Sequence, residues 1–260
     1  MAEHLIVEHL GRSAILTLNA PPVNALDTGQ LQALTRQIHA LSSDPQTRAL
    51  VLTGAGDSFF SAGADIEAFH AAQPQRAEAL LNALNDTALA LASFEGLTIA
   101  AINGYALGGG LALALACDVR IAERQAEVGM PEARLGLPLC GGTSWRLPQA
   151  VGEGWARRLA QTGELVSAAR ALQIGLVDEL TDAGLAKIVA VSVADQGHFS
   201  SPGAARANRQ LLRGGLDAMQ AAQSKEMAAT LSCLGSIEQV EGVLAFFEKR
   251  APSWRDDNDA

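Results

Sequence analysis

Residues 97–117 carry no charged side chain, and this run limits the folds that are open to the chain. Such a run is long enough to cross a bilayer as a helix. It contains, however, Asn103, Gly104 and a glycine triplet at 108–110, which would break a membrane-spanning helix near its middle. We therefore expect a buried strand, a loop and a buried helix instead of a membrane span.

The composition supports a sizeable core and argues against two classes of partner. Of the 260 residues, 48% are hydrophobic and 18% are charged, which suits one large globular domain or one with an appended subdomain. The 19 Lys and Arg against 28 Asp and Glu give a net charge of −9. Because such a surface repels phosphate backbones and anionic lipid, we expect no nucleic-acid and no membrane partner. A small anionic ligand held by local contacts is not excluded.

The cysteines favour a reducing compartment. Cys117, Cys140 and Cys233 are an odd number, and they have no CxxC or Cys/His ligand spacing. Near residue 1 no positively charged segment precedes an apolar stretch, so no signal peptide is expected. We therefore expect a cytoplasmic protein without disulfides and without a metal site.

Strand and helix patterns alternate to about residue 190. Aliphatic runs predict strands at residues 5–10, 14–18, 49–52 and 98–102. Asp27 is the expected N-cap of a helix whose apolar residues recur at three- and four-residue spacing, namely Leu31, Leu34, Ile38 and Leu41. A longer helix follows within residues 76–94, and the glycine triplet begins another. The alternation predicts an α/β core.

The last part of the chain carries helix signals only. Ser201 precedes Pro202 as an N-cap precedes a proline at the first helical position. Ser236 and Gln239 form a predicted capping box for a helix that extends to about residue 250. The apolar face predicted for that helix consists of Ile237, Val240, Leu244 and Phe247. We therefore divide the chain into a core at residues 1–195 and a helical region at residues 196–260.

Several enzyme classes lack their motifs here. The sequence has no G-x-S-x-G motif, and none of its five histidines lies in a recognisable nucleophile motif, which argues against a hydrolase. The glycine triplet lacks the Lys-Ser/Thr of a P-loop, and neither it nor residues 54–56 (GAG) complete G-x-G-x-x-G. A nicotinamide- or ATP-dependent enzyme is therefore not expected.

Two glycine-containing segments, residues 59–66 (FFSAGADI) and 102–110 (INGYALGGG), each follow a predicted buried strand. Small residues let a backbone approach a ligand closely, and N–H groups at the start of a helix have no acceptor within it. Two such N–H groups can bind one oxygen as an oxyanion hole. On spacing alone, a glycine-rich turn without function is an equal alternative.

These segments, followed in order by residues 117–118 (CD) and 129–132 (GMPE), resemble those of the crotonase (enoyl-CoA hydratase/isomerase) family. Further matches make the resemblance cover nearly the whole chain, at residues 24–26 (NAL), 141–143 (GGT) and 246–250 (FFEKR). The resemblance implies a crotonase-like α/β fold, a spiral of ββα units whose helical C-terminal region serves trimerisation. It also implies a homotrimer or a dimer of trimers.

The resemblance places the main-chain N–H groups of Ala64 and Gly109 on a thioester carbonyl of an acyl-CoA substrate, and it requires no metal or redox cofactor. Donors fixed where negative charge develops each contribute about 3 kcal/mol. The CoA part of the substrate would lie along Ala62, Ala64, Asp65, Ile66, Glu67 and Gly109, with the Glu67 carboxyl pointing away. Phe246 and Lys249 would reach the CoA of a neighbouring subunit. A helix cap is the alternative role for Asp65, and a solvated lysine is the alternative for Lys249.

The resemblance further implies that Glu132, the glutamate of GMPE, moves protons. An apolar pocket raises the pKa of a carboxyl group toward neutrality and makes it an efficient acid and base. Taken without its motif, a single glutamate is more often a surface residue.

The chain departs from the family pattern at Ala112, where hydratases usually carry a second glutamate. Two carboxyl groups hold the attacking water, whereas one suffices to move a proton between C2 and C4 of an enoyl thioester. The stretch from Glu132 to Gly141 is also one residue shorter than in typical hydratases, and Cys140 within it is interpreted as a small filler. We expect enoyl-CoA isomerisation, hydration or both. The alternatives are an acyl-CoA-binding paralogue without catalysis and a family thioester hydrolase or carbon–carbon lyase.

Overall fold

The computed structural model describes residues 4–70, 73–212 and 215–254. The strands, in chain order, are β1 (Leu5–Leu10), β2 (Ser13–Leu18), β3 (Ala25–Leu26), β4 (Ala49–Gly54), β5 (Phe59–Ser61), β6 (Gly63–Ala64), β7 (Leu97–Ile102), β8 (Tyr105–Leu107), β9 (Val119–Glu123), β10 (Glu127–Gly129), β11 (Leu165–Ser167) and β12 (Glu179–Thr181).

The helices are α1 (Thr28–Ser42), α2 (Pro74–Ser93), α3 (Gly109–Ala116), α4 (Thr143–Thr162), α5 (Ala168–Gln173), α6 (Ala186–Gly197), α7 (Pro202–Leu212), α8 (Leu216–Cys233) and α9 (Ile237–Glu248). Two short 3₁₀ helices, Ile66–Phe69 and Pro131–Leu135, precede α2 and α4. Within the described ranges, no helix is both long and apolar enough to span a membrane.

The strands form two main sheets. The larger sheet has the order β1-β2-β4-β7-β9-β12 and is parallel except for the antiparallel pair β1 and β2. The smaller sheet has the order β11-β10-β8-β5, and a separate pair joins β3 to β6. Each of β4, β7 and β9 in the larger sheet is followed along the chain by one strand of the smaller sheet and then by helix. The fold thus repeats a ββα unit.

The central strands of the larger sheet are buried on both faces. Leu50 and Leu52 of β4 belong to the apolar cluster that contains the buried residues of α1 and α2. Val51, which lies between them, belongs to a second cluster with the buried residues of α6. Parallel strands covered by helices on both faces read as continuous apolar runs, and this explains the aliphatic runs in the sequence.

The uncharged run 97–117 is buried and intramolecular. It contains β7, β8 and α3, and every residue of α3 is buried. The expected buried strand and buried helix are confirmed, but the predicted loop between them contains the short strand β8. Three residues are too few to produce a strand pattern of their own.

The C-terminal helices pack onto the rest of the chain. Helix α8 contacts α2 and α4, and α9 contacts the 3₁₀ helix Pro131–Leu135. The apolar face predicted for α9 is exposed, since Ile237 is 89% exposed and Leu244 is 46% exposed. Helix α9 instead buries a face of small and polar residues against the chain, namely Gln239, Gly242, Val243 and Ala245. The division of the chain at residue 195, which falls inside α6, stays a prediction.

Candidate active site

The carboxyl ends of three neighbouring strands bring the predicted site residues together. Strands β5, β8 and β10 are parallel neighbours in the smaller sheet, so their carboxyl ends lie at the same edge. Ala64 follows β5, Gly109 follows β8, and Glu132 follows β10. Ligands of parallel sheets bind at this edge of the strands. Topology alone therefore places the two predicted main-chain donors and the predicted acid/base side by side.

The segment that contains Ala64 and the segment that contains Gly109 are in close main-chain contact. A methyl group at Gly109 would lie 3.3 Å from the main-chain nitrogen of Ala64. A methyl group at Gly63 would lie 2.7 Å from the carbonyl oxygen of Leu107 and 3.3 Å from the nitrogen of Gly109. Gly63 also has a φ of +97°, which favours glycine. Since Gly109 begins α3, its N–H has no acceptor within the helix.

The Glu132 carboxyl lies beside Gly108, the residue before Gly109. Gly108 has a φ of +50°, and a methyl group there would lie 2.8 Å from Oε1 of Glu132. The Gly108 N–H donates to the carbonyl oxygen of Gly129, at 3.0 Å, and so joins the ends of β8 and β10. Glycine is therefore favoured at position 108 by its backbone conformation, and a larger residue there would also push on the Glu132 carboxyl.

The carboxyl group of Glu132 is removed from solvent. Only 9% of the residue is exposed, and among the described residues its Oε2 has no hydrogen-bond partner. Burial raises the pKa of Glu132 to about 7, although hydrogen bonds from its own main-chain N–H and from Cys140 lower the pKa, while the charge of Glu226 raises it further. A carboxyl group with this pKa can both take and return a proton near neutral pH.

Buried polar side chains hold the loop between β5 and β6. Asn24, from the NAL motif, donates to the carbonyl oxygens of Ala55 and Phe59 at 2.9 and 2.8 Å. Ser61 donates to the carbonyl oxygen of Asn24 at 2.7 Å and accepts from the Gly63 N–H at 3.1 Å. The position of the Ala64 amide is therefore set by a network that starts at the first motif of the chain.

A family sequence profile described as enoyl-CoA hydratase/isomerase matches residues 12–257. The chain belongs to this family. It is 37% identical to the 2,3-dehydroadipyl-CoA hydratase of Escherichia coli (strain K12) over 96% of this chain and 98% of that protein. It is 36% identical to the crotonyl-CoA hydratase of Syntrophomonas wolfei over 95% of this chain and 96% of that one.

Solved structures confirm the crotonase-like fold. Pseudomonas aeruginosa DspI superimposes with a TM-score of 0.81 and 43% identity, covering 98% of this chain and 97% of that one. An enoyl-CoA hydratase from Bacillus halodurans superimposes with a TM-score of 0.88 and 25% identity, covering 94% and 100%. The enoyl-CoA hydratase/isomerase family and the crotonase-like fold that the motifs implied are thus both correct, and the trimerisation role of the C-terminal region stays a prediction.

The Ala112 side chain is enclosed by neighbouring main chain. Ala112 is fully buried, and its Cβ would lie 2.7 Å from a methyl group at Gly141, so the Gly141 main chain packs directly on it. The stretch between Glu132 and Gly141 therefore lies against α3 at this point.

Two residues near Glu132 make contacts that the sequence did not predict. Cys140 is buried, and its Sγ lies 3.8 Å from Oε1 of Glu132. Glu226 on α8 accepts hydrogen bonds from the N–H groups of Gly142 and Ser144, both at 2.7 Å, at the start of α4. A carboxylate at a helix N-terminus is a stabilising arrangement. The only sequence signal for Glu226 was an acidic residue within a helix, which is ordinary on a surface.

The remaining residues of the predicted CoA segment flank Ala64. Ala62 and Ile66 are half-buried, and Glu67 is exposed. The direction of the Glu67 carboxyl relative to CoA stays a prediction. The Asp65 side chain accepts from the Glu67 N–H at 3.1 Å and caps the 3₁₀ helix Ile66–Phe69. The capping role for Asp65 is thus confirmed, and its CoA contact stays a prediction.

Phe246 and Lys249 lie at the end of α9, where both side chains are exposed. The Phe246 ring contacts Phe247 edge to face, with 5.7 Å between the ring centroids. Lys249 ends the helix in the left-handed conformation, with a φ of +55°. Their contact with the CoA of a neighbouring subunit stays a prediction.

The described residues contain no group of three or more His, Cys, Asp or Glu placed to hold a metal ion. A cavity of about 730 Å³ lies at the other end of α3, where Cys117, Asp118 and Arg146 line it. None of the predicted site residues borders this cavity, so it is separate from the site built around Glu132.

Proposed function

We propose that the chain acts on an acyl-CoA thioester, stabilises a thioester enolate with the N–H groups of Ala64 and Gly109, and moves a proton with Glu132. One observation carries this proposal. The buried carboxyl of Glu132 lies beside Gly108, and the next residue, Gly109, lies beside the Ala64 amide. A base and two main-chain donors that meet at one strand edge suit a reaction that creates negative charge next to a removed proton.

The proton path suits isomerisation of an enoyl thioester. The ionised Glu132 takes a proton from C2 of a 3-enoyl thioester, and the electron pair of that bond moves onto the thioester oxygen between the two N–H groups. The dienolate then takes the same proton back at C4, which gives the 2-enoyl thioester and restores the carboxylate. One carboxyl with a pKa of about 7 is sufficient for both steps.

Hydration of a 2-enoyl thioester is the second candidate. Two relatives that match nearly the whole chain are named as hydratases, the E. coli and S. wolfei proteins. The buried Ala112 weighs against efficient hydration, because a single carboxyl has to activate the water and also protonate C2. We therefore place isomerisation first.

The CoA moiety is proposed to lie along Ala62, Ala64, Asp65, Ile66, Glu67 and Gly109, without a metal or redox cofactor. Phe246 and Lys249 are proposed to reach the CoA of a neighbouring copy in a homotrimer or a dimer of trimers. Their exposure at the end of α9, next to an exposed apolar face, supports this part of the proposal. Sedimentation equilibrium of the purified protein is expected to give three or six times the chain mass, and a single-chain mass would contradict it.

The experiment compares wild type with Glu132→Gln on 3-hexenoyl-CoA and crotonyl-CoA, with products followed by mass spectrometry. The glutamine keeps the shape of the side chain but cannot take a proton, so turnover is expected to fall at least about 100-fold. The matched control is Glu153→Gln, whose side chain is 77% exposed on α4 and whose turnover is expected to equal that of wild type. Unchanged activity of Glu132→Gln removes this residue from the mechanism.

Products separate the alternatives. Binding of acyl-CoA without conversion of either substrate favours a binding paralogue. Free CoA favours a thioester hydrolase, and a shortened acyl chain favours a carbon–carbon lyase. A 2-enoyl product from 3-hexenoyl-CoA supports isomerisation, and a 3-hydroxyacyl product from crotonyl-CoA supports hydration.

Stability supplies a check on Glu132 that needs no substrate. Its pKa rises from 4.5 to about 7 on folding, so the native state binds the proton more tightly than the unfolded chain. Stability is therefore lost as the pH rises from about 4.5 to about 7, by up to about 3 kcal/mol. Glu132→Gln is expected to remove this loss, so that its gain in Tm over wild type is larger at pH 8 than at pH 5.

A further inference from the structure

Cys140 and Glu132 form a buried pair at the candidate site. The Cys140 Sγ lies 3.8 Å from Oε1 of Glu132, and both residues are buried. The other carboxyl oxygen, Oε2, is also buried and has no hydrogen-bond partner among the residues that the structure describes. The two oxygens of Glu132 are therefore not equivalent.

The position of Cys140 is set by the start of α4. Thr143 donates its hydroxyl to the carbonyl oxygen of Cys140 at 2.7 Å. The next turn is held by Glu226, which accepts from the N–H groups of Gly142 and Ser144. On its other side the loop packs on Ala112 through Gly141. The thiol is thus presented to Glu132 by a main chain that is held at several points.

We propose that Cys140 is a positioning residue, whose thiol donates to Oε1 of Glu132 and leaves Oε2 as the oxygen that takes and returns the substrate proton. The inference rests on the proposed function of Glu132 and deepens it. The main-chain N–H of Glu132 also stabilises the carboxylate, and the Cys140 thiol adds a side-chain donor at Oε1, which Oε2 lacks.

A thiol suits this role because it orients the carboxyl group without making it a strong acid. S–H is a weak hydrogen-bond donor, so it stabilises the carboxylate less than a hydroxyl would. Burial and the charge of Glu132 raise the pKa of the Cys140 thiol well above its usual value, so the thiol keeps its proton and remains a donor. Cys140 and Glu226 are the titratable side chains that act on Glu132 from the elements around it, together with the glutamate's own N–H.

The test is the pH dependence of kcat/KM for 3-hexenoyl-CoA in Cys140→Ser and Cys140→Ala. Serine is a stronger donor, and we expect it to shift the acid limb to lower pH by about 0.5 to 1 unit. Alanine removes the donor, and we expect a shift of similar size to higher pH together with a fall in kcat. A purely structural role would change the amount of folded enzyme without moving the acid limb.

The matched control is Cys117→Ser. Cys117 is also a buried cysteine, but its thiol donates to the carbonyl oxygen of Leu113 at the far end of α3. We expect its acid limb to coincide with that of wild type. If Cys140→Ala does not fold, as judged by circular dichroism, the direction of the Cys140→Ser shift decides the question.

A spectroscopic titration separates failure of this inference from failure of the proposed function. The carboxyl band of Glu132 is identified by infrared difference between wild type and Glu132→Gln, and its titration needs no substrate. Opposite shifts of this titration in the serine and alanine variants support the Cys140 contact even if neither acyl-CoA is converted, an outcome that contradicts only the proposed reaction. Identical titrations in wild type and both variants, or shifts of both in the same direction, overturn the inference.

Discussion

Helices α1 and α9 carry apolar residues at the same spacing and bury opposite faces. In α1 the residues Leu31, Leu34, Ile38 and Leu41 are all at most 4% exposed. The residues at corresponding spacing in α9, namely Ile237, Val240, Leu244 and Phe247, are between 44% and 89% exposed. The pattern therefore indicates which side chains share a face, and it does not indicate what covers that face.

The difference follows from what each helix packs against. Helix α1 contacts α2 and joins the main apolar cluster. Helix α9 contacts the main chain of the 3₁₀ helix Pro131–Leu135 with Gly242, where a methyl group would lie 2.6 Å from the Leu135 carbonyl carbon. Beside it, the buried Gln239 donates to the carbonyl oxygen of Phe69 and accepts from the Gly235 N–H, both at 2.9 Å. Helix α9 is held by close backbone contact and hydrogen bonds, so its apolar residues remain outside.

The largest expected effect is on the buried face of α1. Leu34→Ala removes a fully buried side chain and is expected to lower the free energy of unfolding by about 3 kcal/mol. Urea denaturation measures this. Leu244→Ala is the control from α9, and equal losses from the two variants would contradict the difference in burial between the helices.

Gln239→Ala probes the polar anchor of α9. It leaves the Phe69 carbonyl and the Gly235 N–H without this partner, so a loss of about 2 kcal/mol in the free energy of unfolding is expected. Gln220→Ala, at an exposed glutamine of α8, serves as the control and is expected to be nearly neutral. A neutral Gln239→Ala would mean that α9 is held mainly by other contacts.

Gly242→Ala probes the close approach of α9 to Leu135. An added methyl group meets backbone atoms that cannot rotate away, and the expected cost of overpacking is about 1 to 2 kcal/mol. Gly154→Ala in α4 is the matched control. A methyl group there meets nothing within 4 Å, so the better helix propensity of alanine should raise stability by up to about 1 kcal/mol. Thermal unfolding of the two variants should therefore shift in opposite directions.

Leu244→Ser tests the exposed face of α9. Of the substitutions in α1 and α9, it is expected to change the free energy of unfolding of the single chain least. At protein concentrations where only single chains are present, the free energy of unfolding should change by less than about 0.5 kcal/mol. If a second copy covers this face, the wild-type midpoint rises with protein concentration and the variant's rises less. A midpoint that is independent of concentration in both proteins argues against a covered face.

Helix caps, which depend on residues close together along the chain, were predictable from the sequence. The Asp27 cap is present, with its Oδ1 accepting from the Gln30 N–H at 2.7 Å. Ser236 likewise accepts from the Gln239 N–H at 3.1 Å. The other half of the predicted capping box is different, because the Gln239 side chain accepts from Gly235 instead of Ser236. The helix that follows ends at Glu248, slightly before the predicted end.

The site was predictable only in part. The choice of Ala64, Gly109 and Glu132 came from the order of family motifs, since glycine-rich turns alone left the question open. Their proximity then follows from strand order, which local patterns do not encode. Cys140 was interpreted as a filler because no neighbouring residue in the sequence would activate a thiolate, and its contact with the Glu132 carboxyl has no sequence signal. Glu226 was not singled out because the N–H groups that it binds belong to a helix far away along the chain.

The packing of Gly141 on Ala112 has an evolutionary consequence. A carboxyethyl group at position 112 would press on the main chain around Gly141, which Glu226 anchors one residue later. Gain of a glutamate at this position is therefore expected to require a shift of the loop around Gly141. The path of this loop and a small residue at 112 are therefore expected to be inherited together.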